Sequence, residues 1–360
     1  MPRAPPNPDS LGKDHFSLQL YLNSLNSSGA EPEPAQSLSR TGPMNASPKA
    51  RRAGLACLLL LAPLAGPTQA SNITLPPETP AILDKIYSFD LEGAVEAAKR
   101  MEQELPNHPL GYLLEAEALW WRIWCTSADF KYGMSDARRR PKLEADRRYF
   151  ELAAKALKLA ESQIKQSESA EMQFYAGMAE ASSARLYGLR GENRNAARSG
   201  VRGREHLQRA KALDPDLADA DLGLGLYNYY VDALSAIARI LRFFMGIPGG
   251  SKQEGVRLLE HAMAQGVLTS NLARFYLALN LHRYDQQYEK ALTVLGPLVE
   301  KYPANSLFQL ACGDLYAKLG RKQQALACYR AASASPVQDA ECQTRVQELV
   351  RASIASLGTE

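Results

Sequence analysis

The stretch ALTVLGPLVEKYPANSLFQLACGDLYAKLGRKQQALACYRAA, residues 291–332, decides the fold. Ala291, Leu295 and Leu298 lie at i, i+4 and i+7, which is one face of a helix. The same face returns at Ala325, Tyr329 and Ala332, with offsets 325 − 291 = 34, 329 − 295 = 34 and 332 − 298 = 34. The unit between them carries Gly313, Tyr316, Leu319 and Gly320 in its first helix and turn. A small residue lets two helices approach closely, and an aromatic side chain fills the adjacent hole.

A helix-turn-helix period of this length resembles the tetratricopeptide repeat (TPR). Earlier units fit the same frame. Gly203, Leu207, Ala210 and Leu213-Asp214-Pro215 read as the end of a second helix and its stop, and Leu224 and Gly225 open the next first helix. Ala94, Ala98, Met101 and Pro106 read likewise, followed by Tyr112 and Ala116. Gly255, Leu259 and Ala262 make a further second helix. From Thr79 onward no run has the alternating pattern of a strand. The expectation is an all-α, TPR-like α-solenoid of about six hairpins, near 78–105, 109–167, 170–213, 218–265, 270–302 and 305–335, with a capping helix at about 339–356. The usual first-helix tryptophan is replaced by Tyr112, Asp221, Phe275 and Gln309, and insertions interrupt the array near 127–141 and 232–250.

One block carries a narrower likeness. Residues 223–259 contain Gly223-x-Gly225-x-Tyr227-Asn228, an apolar helix ending near Phe244, Gly246-x-x-Gly249, and Gly255 before Leu258-Leu259. This resembles the inclusion-body clearance family of TPR proteins. Members of that family are tied to lipid droplets, organelle membranes or aggregate clearance. The resemblance implies a non-catalytic role and membrane proximity, and it transfers no catalytic residue.

The N-terminal region reads differently. Residues 1–43 are rich in Pro, Ser, Gly and Asn and bury too little apolar surface to offset their ordering entropy. They are disordered or precede the true start. From Met44, the basic Lys49, Arg51 and Arg52 precede the apolar run 55–66, a Pro67 break and a small residue at Ala70. That is the layout of a secretory signal over 44–70, too short to span a bilayer. It predicts export with cleavage after Ala70 into a periplasmic space, a short linker at 71–78, and the solenoid over 79–356.

Composition narrows the function classes. Of 360 residues 46% are hydrophobic, and 42 basic side chains face 39 acidic ones, a net charge of +3. So even a balance gives no argument for nucleic acid. The five cysteines form no CxxC pair, and the five histidines form neither HExxH nor HxxxH, so no metal or cofactor is called for. Neither a GxSxG elbow nor a paired acid and base on one helix face is present, and no catalytic residue is assigned. Cys312 and Cys328 fall on facing helices of one hairpin, and buried free thiols are the expected state.

TPR arrays coil into a superhelix whose first helices line a concave groove. The register projects Glu117 and Trp120 inward from the second unit and Tyr229, with Leu226, from the fourth. Tyr276, Asn280 and Arg283 project from the fifth, and Asp314 from the sixth. Large amphipathic side chains of this kind are favoured at binding hot spots, so a groove accepting a protein or peptide partner is the expectation. The alternative is docking to a membrane through the apolar helix of 233–250, with Ile240, Phe243, Phe244 and Met245 as contacts. Asn228, among Tyr227, Tyr229 and Tyr230, is expected to satisfy the adjoining insertion.

Overall fold

A computed structural model describes residues 73–127, 142–233 and 246–358. Among the described residues the chain is all helix, with no strand. Helices α1 (Thr79–Tyr87) and α2 (Leu91–Glu104) form the first hairpin, and α3 (Pro109–Ser127) and α4 (Glu144–Gln166) the second. Then come α5 (Ala170–Leu189) with α6 (Asn193–Leu213), and α7 (Ala220–Asp232) with α8 (Lys252–Gln265). Helices α9 (Ser270–Arg283) and α10 (Tyr288–Lys301), then α11 (Ser306–Lys318) and α12 (Lys322–Ala334), complete six hairpins, and α13 (Ala340–Leu357) follows. Each helix packs on its chain neighbours, which is the α-solenoid expected from the 34-residue spacing.

Local chemistry sets where the helices begin and turn. Asp90, Ser169, Ser251, Asn305 and Asp339 each accept a hydrogen bond from a backbone N–H in the first turn of the helix they precede. The turn inside a hairpin recurs with one left-handed residue: Phe89, Gly191, Gln286 and Gly320 have φ of 71°, 75°, 53° and 70°. The last two are separated by 320 − 286 = 34 residues, so the repeat is visible in backbone conformation as well as in side chains. Only two of the four are glycine; at Phe89 and Gln286 the packed turn imposes a conformation that costs an L-residue about 1 kcal/mol.

Close approach of paired helices explains the glycines of the block 223–259. A Cβ on Gly255 would lie 2.7 Å from the Tyr229 backbone nitrogen and 2.8 Å from the Gly225 carbonyl oxygen. Both obstacles are backbone, so α7 and α8 would have to separate. Gly255→Ala is therefore expected to destabilise the chain by about 1–3 kcal/mol, read as a lower urea midpoint at unchanged m-value. A shift below experimental error would show that the two helices part freely. Gly313 has a different neighbour: its missing side chain leaves the space that the Tyr329 ring occupies, as the sequence pattern implies.

The two helices of a hairpin differ in kind. Second helices bury a single stripe, as in α10 with Ala291, Val294, Leu295 and Leu298 and in α12 with Ala325, Tyr329 and Ala332. The first helices α3, α9 and α11 are buried almost all round. In α3 every residue from Trp120 to Ser127 is buried except Arg122, and in α9 burial is continuous from Phe275 to Leu281. A helix apolar on all sides belongs in an interior.

The physical reason is that the array closes on itself. Trp121 touches Tyr87 at 6.1 Å, Phe275 at 4.9 Å and Phe308 at 5.5 Å between ring centroids, so α1, α3, α9 and α11 meet at one fully buried indole. The Asn305 side chain donates to the Tyr87 carbonyl at 2.9 Å, and the Tyr302 hydroxyl donates to Asp84 at 2.7 Å. Arg122 pairs with Asp339 at 2.6 Å. A disulfide joins Cys125 in α3 to Cys342 in α13, 217 residues apart, with both residues fully buried. An open solenoid makes contacts only between neighbouring repeats; here the first two hairpins also hold the last two and the final helix.

Candidate functional site

The inward side chains of the first helices converge on Arg185 of α5. Its Nη2 donates to Glu117 Oε2 at 2.7 Å and to the Tyr149 hydroxyl at 2.8 Å, and its Nε donates to the same hydroxyl at 3.2 Å. The Tyr149 hydroxyl in turn donates to the Ser182 carbonyl at 3.1 Å. The guanidinium lies 4.2 Å from the centre of the Trp120 ring, a stacked cation–π contact. Burial opposes the charge on Arg185, but the Glu117 carboxylate and the Tyr149 and Tyr276 hydroxyls outweigh it and hold the guanidinium firmly protonated.

A second cluster joins α7 to α9. The Tyr229 hydroxyl donates to Asp285 Oδ2 at 3.0 Å and the Tyr230 hydroxyl donates to Asn280 Oδ1 at 3.0 Å. Arg283 lies over the Trp124 ring at 5.6 Å, and Asp314 accepts from the Tyr329 hydroxyl at 2.6 Å.

The register thus brings Glu117, Trp120 and Tyr276 into one cluster and Tyr229 and Asn280 into another. It does not leave them open. Trp120, Tyr229, Tyr276 and Asn280 are 2%, 0%, 6% and 0% exposed. Their expected exposure in a concave groove is corrected by the closure: the space they face is filled by each other and by Asp285, Arg185 and Tyr149. Those last three were not singled out in the sequence, where Arg185 and Tyr149 sit among ordinary helical residues. Leu226 is half-buried. Asn228 has the structural part expected of it, in a slightly different form: its Oδ1 accepts from the Ser251 N–H at 3.3 Å and its Nδ2 donates to the Leu224 carbonyl at 2.9 Å. The carbonyl of the returning chain is met instead by the Tyr227 hydroxyl, which donates to Pro248 at 2.9 Å. Ile240, Phe243, Phe244 and Met245 lie outside the described residues.

Two other buried polar groups belong to packing. Arg148 holds Glu115 with both oxygens, at 3.1 and 2.8 Å, and burial together with that neighbouring carboxylate pushes the Glu102 carboxyl up to about 8. The Glu102 carboxyl on α2 is therefore protonated at neutral pH, facing Glu115 on the adjacent α3. Burial pushes the His282 imidazole down to about 4, which keeps it neutral in the apolar wall formed with Phe275, Leu279 and Leu315. Among the described residues no cluster of three metal-ligating side chains is found, and no helix is long and apolar enough to cross a membrane.

The open feature is on the outside. A cleft of about 880 Å³ runs between α8 and the turn that joins α9 to α10, lined by Lys252, Arg257, Glu260, Tyr284, Asp285 and Lys290. Tyr284 is 49% exposed, and its inner edge packs against Tyr229 and Tyr230 at 5.9 and 6.2 Å between centroids. The charged side chains are internally paired: Lys252 with Asp285, Arg257 with Glu254 at 2.6 Å, and Lys290 with Glu260 at 2.9 Å.

The helices, their pairing and their 34-residue spacing define a TPR-like α-solenoid. No protein-family model and no curated protein matches the chain. Among solved structures it is similar to yeast Tom70, at 10% identity and a TM-score of 0.26, over 76% of this chain and 87% of that one. At that TM-score the fold assignment rests on the chain's own helices.

Proposed function

We propose that this chain is an exported TPR-like scaffold that holds a protein partner at the cleft around Tyr284. The observation that carries this reading is a half-exposed aromatic ring fixed from behind by two other tyrosines, at the mouth of a cleft whose charges are already paired. Such a ring offers a large contact area with little conformational entropy left to lose. The interior clusters hold the scaffold's shape, and the cleft takes the place of the concave groove as the contact surface. Export accords with the signal-like segment 44–70 and with a buried disulfide, a bond that persists in oxidising compartments.

The test is co-purification of the tagged full-length protein from its native host, with N-terminal sequencing of the recovered chain. A single stoichiometric partner is expected, with Ser71 as the first residue. Tyr284→Ala should weaken that partner about tenfold or more, a loss of roughly 1.4 kcal/mol, while circular dichroism and thermal midpoint stay unchanged. Retention of the partner by Tyr284→Ala would remove the cleft from the proposal. Recovery with Met1 or Met44 intact would remove export.

A further inference from the structure

Cys312 in α11 and Cys328 in α12 are the two described cysteines outside the disulfide, and their sulfurs lie 3.1 Å apart. A disulfide requires about 2.05 Å, so roughly one ångström of side-chain rotation separates this pair from a covalent bridge. We infer that Cys312 and Cys328 form a redox-active dithiol, oxidised by exchange with a disulfide-bonded reagent that enters at Cys328.

The two sulfurs have different access. Cys312 is 5% exposed in α11, whereas Cys328 is only half-buried where α12 packs against the core. The hydrogen bond they share holds the Cys328 thiol below its ordinary value, while the same bond and burial push Cys312 up. Exposure and ionisation therefore point to the same attacking sulfur. The Cys328 thiolate attacks one sulfur of the reagent R–S–S–R, forming the mixed disulfide Cys328–S–S–R and releasing RS⁻. Cys312 loses its proton to solvent and attacks Cys328 Sγ; a second RS⁻ leaves. In sum two protein thiols become one disulfide, and one R–S–S–R becomes two R–SH. Cys125 and Cys342 are both fully buried and offer no sulfur for the same exchange. The protein then carries one inert cross-link and one exchangeable cross-link, the second tying the first and second helices of the last hairpin.

The test uses the full chain, exposed natively to oxidised glutathione and then to reduced glutathione, with alkylation and peptide-resolved mass spectrometry under non-reducing conditions. A peptide pair linked through Cys312 and Cys328 is expected after oxidation and should disappear after reduction, while the Cys125–Cys342 link survives both treatments. Cys312→Ser should instead accumulate glutathione on Cys328, and Cys328→Ser should leave Cys312 unmodified. Two thiols that remain fully alkylatable after oxidation would overturn the inference. So would a stable glutathione adduct on Cys328 in the wild-type chain, because it would show that Cys312 does not resolve it.

Discussion

Cys125→Ser lowers the unfolding free energy by about 5 kcal/mol or more. The disulfide spans 217 residues, and closing a loop longer than about 100 residues removes enough denatured-chain entropy to be worth about 5 kcal/mol in the chain-entropy model. The substitution also places a hydroxyl in a fully buried site at the junction of α3 and α13, which adds to the loss. Equilibrium urea unfolding measures the total. The variant should also show a larger m-value, because an uncross-linked denatured chain exposes more surface. Cys125→Ala with Cys342→Ala removes the hydroxyl and isolates the cross-link. A loss below about 1 kcal/mol in that double variant would mean that Arg122–Asp339, Tyr302–Asp84 and the Trp121 cluster hold the closure without covalent help. Detection of free Cys125 and Cys342 thiols in the native protein would remove the premise.

This closure marks the boundary of what the sequence made legible. The hairpins could be read because their determinants are local. The stripe Ala325, Tyr329, Ala332 repeats 34 residues after its predecessor, and the glycines at 225 and 255 sit where two helices must approach. Contacts across 217 or 218 residues leave no such trace. Cys125 lies in a helix whose residues Trp120, Trp121, Ile123 and Trp124 are all buried. That run of buried character was the available signal: a first helix of an open array needs one solvated side, and α3 has none. The register projected Glu117, Trp120, Tyr229, Tyr276 and Asn280 from the first helices. It could not say whether they meet a partner or each other, because that depends on superhelical curvature, the sum of small rotations between hairpins. Arg185 was invisible for a related reason: its importance comes from Glu117, Trp120 and Tyr149, on two other helices.

Arg185→Ala is the second large expected effect, a loss of about 3–5 kcal/mol, the cost typical of breaking a buried ion pair by removing one partner. The Arg185 and Glu117 side chains retain only 15% and 13% of their exposure. Glu117 Oε1 already lacks a hydrogen-bond partner in the structure, so loss of the guanidinium would leave the whole carboxylate uncompensated. The Tyr149 hydroxyl would lose its donors, and the Trp120 face its cation. Arg185→Met combined with Glu117→Gln separates charge from packing. It removes both charges while keeping most of the volume, and should recover a large part of the loss, since apolar or neutral replacements of a buried pair are often tolerated. Urea unfolding of the two single variants and the double variant gives the coupling directly. If Arg185→Ala instead unfolds within about 1 kcal/mol of the parent, Glu117 must be reaching water. The centre of the solenoid would then be an open groove rather than a packed core, and the partner surface would move from Tyr284 back to the inward face of the first helices.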